Sequence, residues 1–161
     1  MLSLTNKQTF WLLALVAFAT IAGAWIFEYF GYAPCELCLK QRWAYYAGVP
    51  LAALFALASG GRPGLARNGF LLLAVLWAAS MVFGIYHAGV EWKFWQGPTA
   101  CTGGGSLTGL PDLSKPAVMC DAPALRIFGL SLAGWNAVIS AALAFVAARA
   151  FLRQGSSSVS Q

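Results

Sequence analysis

Charge is the scarcest thing in this sequence. Of 161 residues, 9% are charged, ten of them Lys or Arg and five Asp or Glu, where a soluble domain carries about 25%. So few ionised groups cannot coat a globule of this size, which excludes a soluble enzyme and a disordered tail. The net charge of +5 is then not the basic surface of a nucleic-acid binder. Histidine occurs once, as His87, so a haem with two imidazole ligands is excluded. Neither GxGxxG nor a P-loop pattern occurs, which argues against a tightly held dinucleotide.

What is abundant is apolar, 60% of the chain. The few charges leave four long windows free, at residues 8–27, 43–61, 68–90 and 127–148. Each matches the roughly 20 residues with which a helix crosses about 30 Å of hydrocarbon. None alternates with period two as a barrel strand would. The expected fold is therefore an all-α membrane protein, a four-transmembrane-helix bundle in a single domain over residues 1–154. Its helices are expected near 8–29, 43–60, 68–90 and 127–149, with outer loops 30–42 and 91–126 and a disordered tail at 155–161. The first window outruns the apolar core of a signal peptide and ends in Trp25-Ile26-Phe27, so it is read as a retained helix.

Four crossings put both termini and the 62–67 loop on one side, and the two cysteine-bearing loops on the other. Lys7, Arg62, Arg67, Arg149 and Arg153 lie in short segments near helix ends, which the positive-inside rule assigns to the cytoplasm. All five acids fall on the opposite side. Trp25, Trp43, Trp92 and Trp95 gather near the outer helix ends, as an aromatic belt does. Asn136 in the fourth window is a candidate hydrogen-bonding residue between helices, and Pro50 in the second a candidate bend.

Helix parity alone places Cys35, Cys38, Cys101 and Cys120 on one face, the oxidising one if the termini are cytoplasmic. Cys35-Glu36-Leu37-Cys38 is a CxxC pair following Pro34, at the start of the second helix. There the helix dipole favours thiolate, the nucleophile of disulfide exchange. Arg42, four residues after Cys38, shares a helix face with that sulfur and would lower its pKa, or else is an interfacial anchor. Cys101 and Cys120 enclose 18 residues rich in Gly and Pro. That pair suits a mobile disulfide offered to an external partner, or a staple worth roughly 3 kcal/mol. A four-cysteine zinc site needs two tight ligand pairs, and Cys101/Cys120 is not one, so no metal is expected. A dithiol that cycles needs an electron acceptor, and a lipid-soluble quinone entering from the bilayer fits. His87, next to Tyr86 near the outer end of the third helix, and Arg42 at similar height are the candidate quinone contacts, though an interfacial histidine is equally compatible with position.

These residues resemble a known family. Pro34-Cys35-Glu36-Leu37-Cys38-Leu39-Lys40-Gln41-Arg42 resembles the CxxC-x3-Arg signature of the DsbB family, the quinone-dependent membrane thiol oxidases of disulfide bond formation. The segment at 86–92, Tyr86-His87-Ala88-Gly89-Val90-Glu91-Trp92, looks like the exit of that family's third helix. Gly97-Pro98-Thr99-Ala100-Cys101 and Val118-Met119-Cys120-Asp121 look like its second cysteine loop. The likeness spans approximately residues 7–149.

The resemblance implies a relay in the bacterial inner membrane. A reduced, periplasmic DsbA-like thioredoxin-fold protein would attack the Cys101–Cys120 disulfide, forming a transient mixed disulfide at Cys101. Cys120 would pass the reducing equivalents to Cys35. Cys38, as thiolate, would meet ubiquinone or menaquinone, with Arg42 and His87 as the quinone-site residues, and electron transport would continue into the quinone pool. DsbA is a strong oxidant, so its re-oxidation needs an acceptor of higher potential. Two departures stand out: Gln41 occupies a position that is acidic in the best-known member, and the Cys101–Cys120 loop is shorter and richer in Gly. An alternative is a vitamin K epoxide reductase-like enzyme, against which the order of the cysteine pairs argues. Another is a non-enzymatic membrane assembly factor with two structural disulfides.

Overall fold

A computed structural model describes residues 4–98 and 119–157. Its elements are α1 (Asn6–Tyr29), α2 (Glu36–Ala58), α3 (Pro63–Glu91), a short hairpin of β1 (Arg126–Ile127) and β2 (Leu130–Ser131), and α4 (Leu132–Ser157). Among the described residues α1, α3 and α4 are each long and apolar enough to cross a membrane. α2 differs because Glu36, Lys40 and Arg42 occupy its first two turns and Pro50 lies inside it.

Local chemistry sets the helix ends. At α1, Thr5 and Gln8 form a reciprocal capping box, the Thr5 hydroxyl accepting from the Gln8 backbone N–H and the Gln8 side chain accepting from the Thr5 N–H. α3 opens on Pro63, whose missing N–H costs nothing in the first turn. α2 begins at Glu36, not near 43, because Cys35 caps it. The charge-free window marked only the apolar part of a longer helix.

At the fourth helix the start also moves, from 127 to Leu132. Arg126 pairs with Ser131 and Ile127 with Leu130 across a two-residue turn. Phe128 (φ 51°) and Gly129 (φ 81°) both have the positive φ that a type I′ hairpin turn requires. Ser131 Oγ then accepts from Gly134 N at 3.1 Å, as an N-capping serine does. At the other end α4 continues through Ser157, into the expected tail, of which residues 158–161 lie outside the described residues.

The helices close a ring in which α1 packs on α2 and α4, and α3 on α2 and α4. In lipid such packing relies on close approach and interhelical hydrogen bonds rather than on exclusion of water. Gly84 provides the approach between α3 and α4, since a Cβ there would meet Ala137 N at 2.9 Å. Gly48 on α2 receives the Trp77 indole of α3, its added Cβ falling 2.5 Å from the ring. Phe10, Phe55 and Phe70 stack together near the chain termini, Phe10 and Phe70 with centroids 4.0 Å apart. Higher in the bundle, Tyr45 Oη donates to Asn136 Oδ1 at 2.6 Å, and Ser80 and Ser140 are joined at 2.9 Å. Asn136 thus links helices as its polar character in an apolar window suggested. Outward faces carry Leu15, Phe18, Leu54, Val75, Val82 and Phe145, all exposed.

Candidate functional site

Pro34 biases the preceding backbone towards extension, and Cys35 then takes the N-cap position with φ −74° and ψ 171°. Its sulfur accepts the Cys38 backbone N–H at 3.2 Å, where a serine or aspartate oxygen more usually sits. Two residues of spacing and one helical turn bring the Cys38 sulfur to 2.7 Å from that of Cys35. Both are free thiols, Cys35 buried and Cys38 partly so.

His87 approaches from α3. Its Nε2 lies 3.5 Å from Cys35 Sγ, and its Nδ1 lies 3.1 Å from the Gln41 side-chain nitrogen. With the Gln41 amide donating to Nδ1, the ring proton resides on Nε2 and faces the sulfur. Glu91, one turn beyond, sets Oε1 3.9 Å from the same Nε2. Cys35 is therefore the sulfur on which donors converge, and its thiol is lowered from 9.0 to about 5. Donation by the Cys38 thiol contributes most, burial opposes it, and the His87 imidazole and the Cys38 N–H add in the lowering direction. The thiolate expected at the helix start thus falls on Cys35, which receives the Cys38 thiol first, then the His87 imidazole and the capping Cys38 N–H. Arg42 does not take up the role expected of it beside Cys38. Its guanidinium is engaged by Glu28 at 2.6 Å, tying the start of α2 to the end of α1.

Cys120 reaches the same place from far along the chain. It is 1% exposed and packs in one cluster with Cys35 and Leu37, flanked by Cys38, Phe83 and Tyr86. It is disulfide-bonded. The neighbouring Asp121 is held by Lys93, just past the end of α3, and this ion pair depresses its carboxyl pKa. Trp95 folds the chain back at the same level, its indole N–H donating to Tyr86 O at 2.8 Å. Its ring covers Gly89 so closely that no side chain fits there. Cys101 and most of the 102–119 loop lie outside the described residues.

A cavity of about 450 Å³ opens between α1, α2, α4 and the hairpin, with walls mostly of apolar side chains. Cys38, Gln41, Arg42, Tyr45 and Asn136 are among its polar lining residues, and Phe128 of the hairpin also lines it. Cys38 borders this space and Cys35 does not. His87 is also absent from the lining and is 1% exposed; Gln41, which does line the cavity, contacts it. In this arrangement the imidazole contacts Cys35 and Gln41 rather than the cavity itself.

Sequence reasoning missed Glu28, Gln41 and Glu91 as participants. Glu28 entered it only as one of the five acids on the outer side, and Glu91 as another of them and as part of the 86–92 segment. The i,i+4 spacing of His87 and Glu91 was the available signal for one of them, and Gln41 was noted only as a departure from an acidic position.

Comparison with known proteins agrees with this geometry. The family model described as "Disulfide bond formation protein DsbB" matches residues 6–150. Disulfide bond formation protein B of Cupriavidus metallidurans is 30% identical over 145 residues, covering 83% of this chain and 85% of the relative. Disulfide bond formation protein B 1 of Pseudomonas entomophila is 33% identical over 138 residues, 79% of each chain. An uncharacterized protein of Rickettsia prowazekii, RP370, is 24% identical over 140 residues, 81% of this chain and 79% of the relative. No solved structure matches significantly.

Proposed function

The chain belongs to the DsbB family of membrane proteins of disulfide bond formation, and from that premise we propose that it is a thiol:quinone oxidoreductase that re-oxidises a periplasmic DsbA-type dithiol. The observation that carries this reading is the meeting of Cys120 with Cys35 and Cys38 in one buried cluster whose outer sulfur, Cys38, borders an apolar cavity.

In this reading the partner's thiolate attacks Cys101 of a Cys101–Cys120 disulfide, and Cys120 leaves as thiolate. The partner's second cysteine then resolves the mixed disulfide at Cys101, and the partner departs oxidised by two electrons. Cys120, which shares a buried cluster with Cys35, attacks that sulfur of an oxidised Cys35–Cys38 bond, and Cys38 is released as the leaving thiolate. Cys101 closes the Cys101–Cys120 disulfide again and frees Cys35. His87 Nε2–H and the helix N-terminus hold the resulting charge on Cys35.

A cavity of this size and apolar character suits a small-molecule ring, and Arg42 and Gln41 offer donors for a carbonyl oxygen. A quinone bound there, ubiquinone or menaquinone, accepts two electrons and two protons and so balances the oxidation of the Cys35/Cys38 dithiol. Four crossings of the bacterial inner membrane, with α2 counted among them, both termini in the cytoplasm and the cysteine loops in the periplasm, complete the proposal. The basic residues near the inner helix ends support that orientation.

The test is quinone reduction by purified protein supplied with a reduced thioredoxin-fold dithiol. Cys38→Ser is expected to abolish turnover; unchanged turnover would remove Cys38 from the reaction. A partner whose second cysteine is replaced by alanine is expected to remain on the unsubstituted chain as a mixed disulfide at Cys101, detectable on a non-reducing gel.

A further inference from the structure

The CxxC pair has company that its spacing did not announce. Cys35 Sγ, Cys38 Sγ and a ring nitrogen of His87 all lie within 4.8 Å of one another. Glu91 faces the same imidazole nitrogen at 3.9 Å; it is 8% exposed, and its Oε2 has no hydrogen-bond partner among the described residues. We propose that the reduced protein binds a thiophilic divalent cation of the zinc type at Cys35, Cys38, His87 and Glu91.

Two thiolates, an imidazole and a carboxylate are a donor set that suits tetrahedral zinc. With Zn–S near 2.3 Å and Zn–N near 2.0 Å, a tetrahedron separates sulfur from nitrogen by about 3.5 Å and the two sulfurs by about 3.8 Å. The Cys35–His87 distance is 3.5 Å already. The sulfurs, at 2.7 Å, open by about 1 Å on rotation of the Cys38 side chain, which borders the cavity and so has space to move. The same cavity is the entry path for the ion. Gln41 completes the arrangement. Its amide, rotated to present oxygen, accepts Nδ1–H and leaves Nε2 bare for the metal, the outer support that ligating histidines generally have.

A zinc site on the four cysteines fails because Cys101 and Cys120 are not a tight pair. The fold replaces that second pair with two side chains of α3, which sequence spacing to the CxxC cannot reveal. Coordination is not a redox step. The Cys38 thiol releases its proton to solvent as the ion enters, no electrons move, and the site exists only while Cys35 and Cys38 are reduced. The bound ion would hold the dithiol out of disulfide exchange; that consequence rests on the relay above, whereas the site itself rests only on geometry.

The experiment uses the full chain in detergent micelles with Cys101→Ser and Cys120→Ser, so that only the CxxC pair changes redox state. Zinc chloride is titrated against a chromophoric chelator, before and after oxidation of Cys35 and Cys38 to a disulfide. One zinc ion per chain is expected in the reduced form, with proton release in weak buffer, and none in the oxidised form. The unsubstituted chain, reduced and then oxidised, repeats the comparison should the double variant fold poorly. His87→Ala is expected to weaken binding about tenfold or more. Equal binding by the oxidised protein, no uptake by the reduced one, or an unchanged affinity in His87→Ala would overturn the proposal. Quinone turnover is not measured here, so failure of the metal site leaves the relay standing, and failure of the relay leaves the metal site standing.

Discussion

The assignment of the thiolate to Cys35 makes a sharp expectation for the reduced protein. A thiol held at about 5 is about 99% ionised at pH 7, whereas one at the ordinary 9.0 is about 1% ionised, a difference of about a hundredfold. Alkylation of Cys35 should therefore rise between pH 4 and 6 and then level off, rather than climbing through pH 8–9. The half-point and not the plateau is the quantity to read, because nucleophilicity falls with thiol pKa and offsets part of the gain. Cys38→Ala removes the largest donor to the Cys35 sulfur, so the half-point moves upward by more than about one pH unit. His87→Ala moves it in the same direction but less, and Cys38→Ser, which retains a donating hydroxyl, falls between the parent and Cys38→Ala. The assay is pulse alkylation under argon in the Cys101→Ser/Cys120→Ser background, with Cys35 and Cys38 peptides separated by mass. A parent half-point near pH 8–9, or a larger shift in His87→Ala than in Cys38→Ala, would refute the account of which donors set the charge.

Two further expectations concern the frame of the site. Gly48→Ala drives a Cβ to 2.5 and 2.7 Å from the Trp77 ring, which is fully enclosed between helices. It should cost about 1–3 kcal/mol, read as a lowered Tm in detergent, and an unchanged Tm would show that α2 and α3 separate easily. Arg42→Met removes the partner of Glu28 and a donor at the cavity wall. Because the Glu28 side chain is 44% exposed, the pair contributes at most about 1 kcal/mol to stability. KM for quinone should rise with little change in Tm; a collapsed Tm, or a change in kcat alone, would count against a binding role.

Much of this molecule was legible in the order of its residues because lipid is an unforgiving solvent. Charge-free windows can only be helices or closed barrels there, so the helical class and the approximate places of α1, α3 and α4 followed from charge positions. The errors were at helix ends, where lipid has no say. Cys35 capping α2, and the positive φ of Phe128 and Gly129 ahead of α4, are matters of local backbone chemistry that apolar windows do not sense. Likewise the polar role of Asn136 was visible, but not its partner Tyr45, which is 91 residues away in sequence.

The sequence by itself determined a helical, membrane-suited chain, a CxxC at a helix start, and a second cysteine pair between the third and fourth apolar windows. The tertiary structure alone decided which sulfur carries charge, since that depends on donors arriving from α3 as well as from within α2. It also decided that Cys38 and not Cys35 borders the cavity, that His87 attends a cysteine, and that Arg42 is engaged by Glu28. The physical reason is the short range of hydrogen bonds and sulfur contacts. They act over about 3–4 Å, and residues 52 positions apart come within that distance only when helices pack.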